Sequence, residues 1–143
     1  MAAKVCVLGP SGRMGRALID ATAGRADVEL VAAIDREGAD KLGETVAPGV
    51  VARTDLRSAL SMAEVYIDFT SPAGTRAALV VARELAKPAV VGTTGLSSED
   101  SADLDALAKV APIVVAANFS LGVNLLLGLV EQAARALGPD WDA

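Results

Sequence analysis

Apolar and polar positions along this chain fall into blocks. Lys4–Leu8, Val28–Ile34, Val65–Phe69, Ala89–Gly92 and Ile113–Ala116 are short, nearly continuous apolar runs rich in Val, Ile and Ala. Such runs predict five strands of a parallel sheet covered on both faces. Between them, apolar positions recur at helical spacing. The helices expected are Arg13–Ala23, a short one ending near Met62 and capped by Thr54 or Asp55, Pro72 to about Ala86, Ser98–Lys109, and about Leu121 to Leu137. Ser71-Pro72 reads as a cap followed by proline at the first helical position, and Pro88 helps end that helix. Ser97 with Asp100 reads as a capping box, and Gly138-Pro139 stops the last helix. Glu37 to Val50 is polar and glycine-bearing and reads as irregular, with a helical turn near Asp40–Leu42.

Strict alternation of strand and helix puts every strand C-terminus on one edge, because crossovers between parallel strands are right-handed. Gly9, Asp35, Thr70, Gly92-Thr93-Thr94 and Asn118 all fall just past strand ends. Ligands of open α/β sheets bind at that edge. The glycines Gly9, Gly12 and Gly15 follow the first strand at three-residue intervals and open the first helix, and Asp35 ends the next strand. This is the pattern of a dinucleotide-binding βαβ unit. Gly9 permits the tight turn, Gly12 lets a pyrophosphate approach, and Gly15 lets helix and strand close. The expected fold is therefore an α/β, Rossmann-type doubly wound parallel sheet. Residues 1–120 are expected to form the dinucleotide-binding domain, and 121–143 to hold the final helix.

The chain has 143 residues, 52% of them apolar, 3% aromatic, with net charge −5. Few aromatics argue against a base-stacking surface, and the acidic balance argues against nucleic acid or anionic membrane as partner. There is no histidine and one cysteine, Cys6, so a zinc site is not expected. The lone strand thiol and the lack of room for a leader before the first strand point to a cytoplasmic protein. No apolar run reaches membrane-spanning length.

Most candidate site residues carry two readings. Asp35 is a ribose-hydroxyl acceptor, favouring NADH, or a surface carboxylate. Arg36 beside it suits a 2′-phosphate, favouring NADPH. Arg13 and Arg16 are phosphate contacts or, for Arg16 especially, a solvated face. Phe69 and Thr70 border a nicotinamide or its ribose, while Ser71 is chiefly a cap. Gly92-Thr93-Thr94-Gly95 is a polar loop whose two hydroxyls a turn does not require. Ala116, Ala117, Asn118 and Phe119 allow close backbone approach, and Asn118 or Ser120 caps the last helix. On that helix Leu121, Leu125, Leu126, Leu129, Val130 and Ala133 form a wide apolar stripe. Part of it is expected against the sheet, and any remainder invites self-association.

Four segments together, Gly9…Gly12-Arg13-Met14-Gly15, Asp68-Phe69-Thr70, Gly92-Thr93-Thr94-Gly95 and Ala117-Asn118-Phe119-Ser120-Leu121-Gly122-Val123-Asn124, closely resemble the dihydrodipicolinate reductase family. The resemblance covers essentially the whole chain. It implies a domain binding NADPH or NADH for hydride transfer to a cyclic imine-type dicarboxylate in the diaminopimelate route to lysine. It implies that Gly9, Pro10, Ser11, Gly12, Arg13 and Met14 hold the pyrophosphate and that Asp35 and Arg36 read the adenosine ribose. Gly92, Thr93, Thr94 and Ala116 to Phe119 are implied near the nicotinamide. It further implies a second domain for substrate binding and tetramerisation, carrying paired histidines and a lysine, together with a return segment. Here Asp140-Trp141-Asp142 looks like the entry to that domain, which is absent, so no catalytic residue is assigned and little or no activity is expected of this chain alone. Two other classes fit the sequence: an NAD(H)-sensing regulatory module, and a methyltransferase-like domain with a glycine loop for S-adenosylmethionine.

Overall fold

The computed structural model describes residues 1–138 and 141. Pro139 of the expected helix stop, and Asp140 and Asp142 of the expected domain entry, lie outside the described residues. The elements are β1 (Ala3–Leu8), α1 (Arg13–Thr22), β2 (Val28–Ile34), β3 (Thr45–Ala47), β4 (Val50–Arg53), α2 (Leu56–Met62), β5 (Val65–Asp68), α3 (Pro72–Glu84), β6 (Ala89–Val91), α4 (Ser98–Ala108), β7 (Ile113–Val115) and α5 (Leu121–Leu137).

The sheet order is β3-β4-β2-β1-β5-β6-β7. β1 pairs in parallel with β2 on one side and β5 on the other. The chain thus leaves β1 toward one edge and later crosses to the opposite edge. That reversal opens a crevice above the C-terminal end of β1, as in other doubly wound sheets.

Alternate residues of β1 serve the two faces. Cys6 and Leu8 join Tyr66, Leu60, Leu79, Ala82, Val91, Leu104 and Leu107 in the larger cluster. Val5 and Val7 face Ile19 of α1 in the smaller one. Apolar residues on both faces explain the continuous runs. Burial pushes the Cys6 thiol up to about 12.

The helix starts follow their caps. The Asp55 side chain accepts from the Ser58 N–H at 3.1 Å. Ser71 Oγ accepts from the Gly74 N–H at 3.3 Å, with Pro72 in the first turn. The Ser97–Asp100 capping box is complete. Ser120, rather than Asn118, caps α5.

Three expectations need correction. Glu37 to Val50 is not wholly irregular, because Thr45–Ala47 and Val50–Arg53 form an antiparallel hairpin added to the edge of the otherwise parallel sheet. Its link, Pro48-Gly49, supplies the proline and the positive-φ glycine (+76°) that a tight turn of this kind favours. The Asp40–Leu42 stretch forms turns without a helix. The stripe on α5 does not pack on the sheet. None of the residues of α5 is buried, and Leu125, Leu126, Leu129 and Val130 are each more than half exposed. A wide apolar face shows that a helix needs cover but does not identify the cover.

Candidate functional site

The loop after β1 is built by exclusion of side chains. Gly9 turns at φ +73°, and its N–H donates to the Ile34 carbonyl at 2.8 Å. The Gly12 N–H closes the turn on the Gly9 carbonyl at 2.9 Å. A Cβ on Gly15 would stand 2.0 Å from that same carbonyl oxygen, so α1 lies against the loop only because residue 15 has none.

Helix α1 begins at Gly12 without a side-chain cap and without an acidic residue in its first turn, among the described residues. Its first amides and the positive end of its dipole are left for an external anion. Arg13 and Met14, in that first turn, are exposed.

Asp35 is tied to this loop. Its Oδ2 accepts from the Ser11 N–H and its Oδ1 from the Arg36 N–H, both at 2.9 Å. Each carboxylate oxygen keeps a lone pair for a further donor, such as a ribose hydroxyl. Ser11 Oγ accepts from the Lys41 N–H at 3.0 Å, and Arg16 donates to the Ser11 carbonyl at 2.9 Å. Arg16 therefore braces the loop.

A cleft of about 1020 Å³ lies over these groups, and Gly9, Ser11, Gly12, Asp35, Arg36, Phe69 and Thr70 all line it. So do Glu37, Gly38, Ala39 and Asp40, which the sequence did not single out. Their turn became a wall when the β3–β4 hairpin folded back beside β2.

The other expected site residues stand elsewhere. Pro10 is fully buried and borders a smaller cleft of about 210 Å³ with Arg16 and Lys41. Gly92 lies under the Phe69 ring, where a Cβ would come within 2.1 Å of a ring carbon. Phe69 meets Phe119 edge-on, with centroids 5.4 Å apart at 62°. This pair joins the Gly92 loop and the Ala116–Phe119 segment to the end of the main cleft. Thr94 is exposed, whereas Thr93 is buried and turned inward. Asn118 Oδ1 accepts from the Ser120 N–H at 2.7 Å, so its side chain orders the entry to α5.

Sequence reasoning gave Asp68 a place in the Asp68-Phe69-Thr70 segment but no role of its own. It is wholly buried and accepts from Thr70 and Thr75. Burial, and next the Asp68 carboxylate, push the Tyr66 phenol up, and its buried hydroxyl has no partner among the described residues. The available signal was a carboxylate closing an apolar strand with threonines two and seven positions on.

The sheet order, the glycine turn and the uncapped helix over a switch-point cleft define a Rossmann-type nucleotide-binding domain. A family model described as dihydrodipicolinate reductase, N-terminus, matches residues 3–119, and the chain belongs to that family. The 4-hydroxy-tetrahydrodipicolinate reductase of Alkalilimnicola ehrlichii is 44% identical over 149 residues, covering 99% of this chain and 56% of that protein. That of Ralstonia nicotianae is 42% identical, covering 97% and 55%. The solved dipicolinate-bound dihydrodipicolinate reductase of Paenisporosarcina sp. TG-14 superposes with TM-score 0.80 at 26% identity, covering 94% of this chain and 54% of that one. The chain thus spans about half the length of the curated relatives it matches.

Among the described residues no helix is long and apolar enough to cross a membrane. No group of three His, Cys, Asp or Glu side chains there could hold a metal ion.

Proposed function

We propose that this chain is the NADH- or NADPH-binding domain of a reductase that transfers hydride to 4-hydroxy-tetrahydrodipicolinate in lysine biosynthesis. The observation that carries it is one cleft holding both an uncapped helix start over a glycine turn and, beside it, the Asp35 carboxylate with lone pairs to spare. A dinucleotide offers the matching groups, a pyrophosphate and a ribose diol. The fit is supported by the cradle itself, since a Cβ at Gly15 would overlap backbone atoms and push the helix away.

The first-turn amides of Arg13 and Met14, with Gly9, Pro10, Ser11 and Gly12 shaping the turn, hold the pyrophosphate. Asp35 and Arg36 take the adenosine ribose end. Phe69, Thr70, Gly92, Thr94 and the segment Ala116, Ala117, Asn118 and Phe119 border the nicotinamide end, with the buried Thr93 behind them. Residues 1–120 are the binding domain, and α5 follows it. When bound, the reduced cofactor supplies the hydride.

The chain has no histidine to serve as a proton donor. It therefore binds cofactor but turns over little substrate by itself, because hydride transfer needs an oriented acceptor and a proton source. Calorimetric titration with NADH and NADPH, beside an assay with 4-hydroxy-tetrahydrodipicolinate, tests both halves. Saturable cofactor binding with negligible turnover is expected. Absence of binding refutes the assignment, and turnover at an ordinary enzyme's rate refutes the division of labour.

A further inference from the structure

Asp68 is a carboxylate buried without a cation. No ion pair involves it among the described residues. It is held by hydrogen-bond donors alone. Its Oδ1 accepts from the Thr70 N–H at 2.9 Å and the Thr70 O–H at 2.6 Å. Its Oδ2 accepts from the Thr75 O–H at 2.7 Å.

Each hydroxyl has one proton to give. Thr75, having donated to Asp68, accepts from Thr93 at 2.9 Å. Thr93 also lies 3.3 Å from Asp68 Oδ1. The protons of all three hydroxyls therefore run inward, toward the carboxylate. Thr70 is exposed and lines the main cleft, and with its one proton given to Asp68 its Oγ1 can only accept there. It cannot easily shift. A Cβ on Gly74 would come within 2.5 Å of Thr70 Oγ1, and a Cβ on Gly9 within 2.8 Å of its methyl, so the side chain fills the space those glycines leave.

We propose that Asp68 is a positioning residue of the cleft, fixing Thr70 Oγ1 as a hydrogen-bond acceptor and tying the loop after β5 to the loop after β6 through Thr75 and Thr93. The proposal rests on the dinucleotide reading. β2 and β5 flank β1 on opposite sides, so Thr70 stands across the glycine turn from Asp35. With the adenosine ribose at Asp35, the group that meets Thr70 belongs to the nicotinamide half. The acceptor there suits a donor of that half, a ribose hydroxyl or a carboxamide N–H.

The test compares NADH with ADP, which has adenosine and both phosphates but lacks the second ribose and the nicotinamide. Asp68→Asn keeps the volume but puts an N–H₂ where an oxygen stood. Thr75 must then accept, which reverses its link to Thr93, while the neutral amide oxygen left facing Thr70 holds its two donors less strongly than a carboxylate does. Thr75→Val removes the middle link from a residue outside the cleft, and Thr75→Ser restores it. Both Asp68→Asn and Thr75→Val are expected to weaken NADH about tenfold, with ADP affinity kept within about twofold. Thr75→Ser is expected to bind NADH as the parent chain does. Should Asp68→Asn fail to fold, the Val and Ser variants at Thr75 decide the matter between them. Unchanged NADH affinity in folded Thr75→Val overturns the positioning role, as does equal weakening of NADH and ADP. A parent chain that binds neither NADH nor ADP overturns the dinucleotide reading itself, a different result from the other two.

Discussion

Replacing Gly15 by alanine isolates the contact on which the cradle depends. In an exposed helix the change would stabilise by about 1 kcal/mol, because alanine loses less backbone entropy. Here the new Cβ would stand 2.0 Å from the Gly9 oxygen, 2.6 Å from the Gly9 carbonyl carbon and 3.0 Å from Pro10 Cα. Ordinary contact begins near 3.4 Å, so the separation must grow by about 1.4 Å, the difference of 3.4 and 2.0. The neighbours are backbone atoms that no rotamer change can move. Overpacking of this kind costs up to about 3 kcal/mol, leaving a net loss of about 2 kcal/mol after the helix gain. For a domain of this size that is a fall in Tm of roughly 6–8 °C. The shift also lifts the first amides of α1 off the turn, so NADH affinity should fall by at least about tenfold. Thermal melting followed by circular dichroism, paired with an NADH titration, reads both quantities. Gly128→Ala is the control, since nothing stands within 4 Å of a Cβ there. A Gly15→Ala chain that melts within about 2 °C of the parent and binds NADH unchanged would refute the close-packing reasoning.

Other outcomes follow from single contacts. The Ser97 N–H first, and next the Arg76 guanidinium at 2.9 Å, hold the Asp100 carboxyl below its usual 3.8. The native state therefore resists protonation there: the stabilisation is full above about pH 4 and disappears as pH falls through the lowered native value. Asp100→Asn should lower Tm at pH 7 and flatten its fall below pH 4; an unchanged acid limb would contradict this. Cys6, buried with its thiol pushed up to about 12, should react with a thiol reagent only as the domain unfolds, so its labelling rate should rise with urea in step with unfolding. The exposed leucines of α5 should draw copies together, giving a scattering mass above 14.5 kDa that Leu126→Lys with Leu129→Lys returns to that of one chain. A parent chain that stays monomeric at high concentration would remove α5 as an association surface.

The strand–helix alternation, the caps at Asp55, Ser71 and Ser97, and the glycine turn were legible because each depends on near neighbours in the chain. The hairpin was harder to read. Thr45–Ala47 has only three residues, and the glycines at 43 and 49 read as loop, although Pro48-Gly49 between two apolar runs marked the turn. With the hairpin overlooked, Glu37 to Asp40 were not seen as a wall of the cleft. The Ser11–Asp35 bond was also hidden, since the spacing of glycine and aspartate places both at the sheet edge but not in contact. Asp68 stayed obscure for another reason. Its partners Thr70, Thr75 and Thr93 come from three different elements, and only the packing of α3 against β5 and β6 shows that their hydroxyls meet. The fate of α5 depends on what covers it, which a single helix does not encode.

The central claim is that a pyridine dinucleotide sits with its phosphates on the start of α1. Amide NMR during titration with NADH tests this residue by residue. Saturable shifts concentrated at Gly12, Arg13, Met14 and Arg36 are the expected result. A spectrum that stays still at these amides under millimolar NADH, or that moves only at residues remote from the cleft, would contradict it.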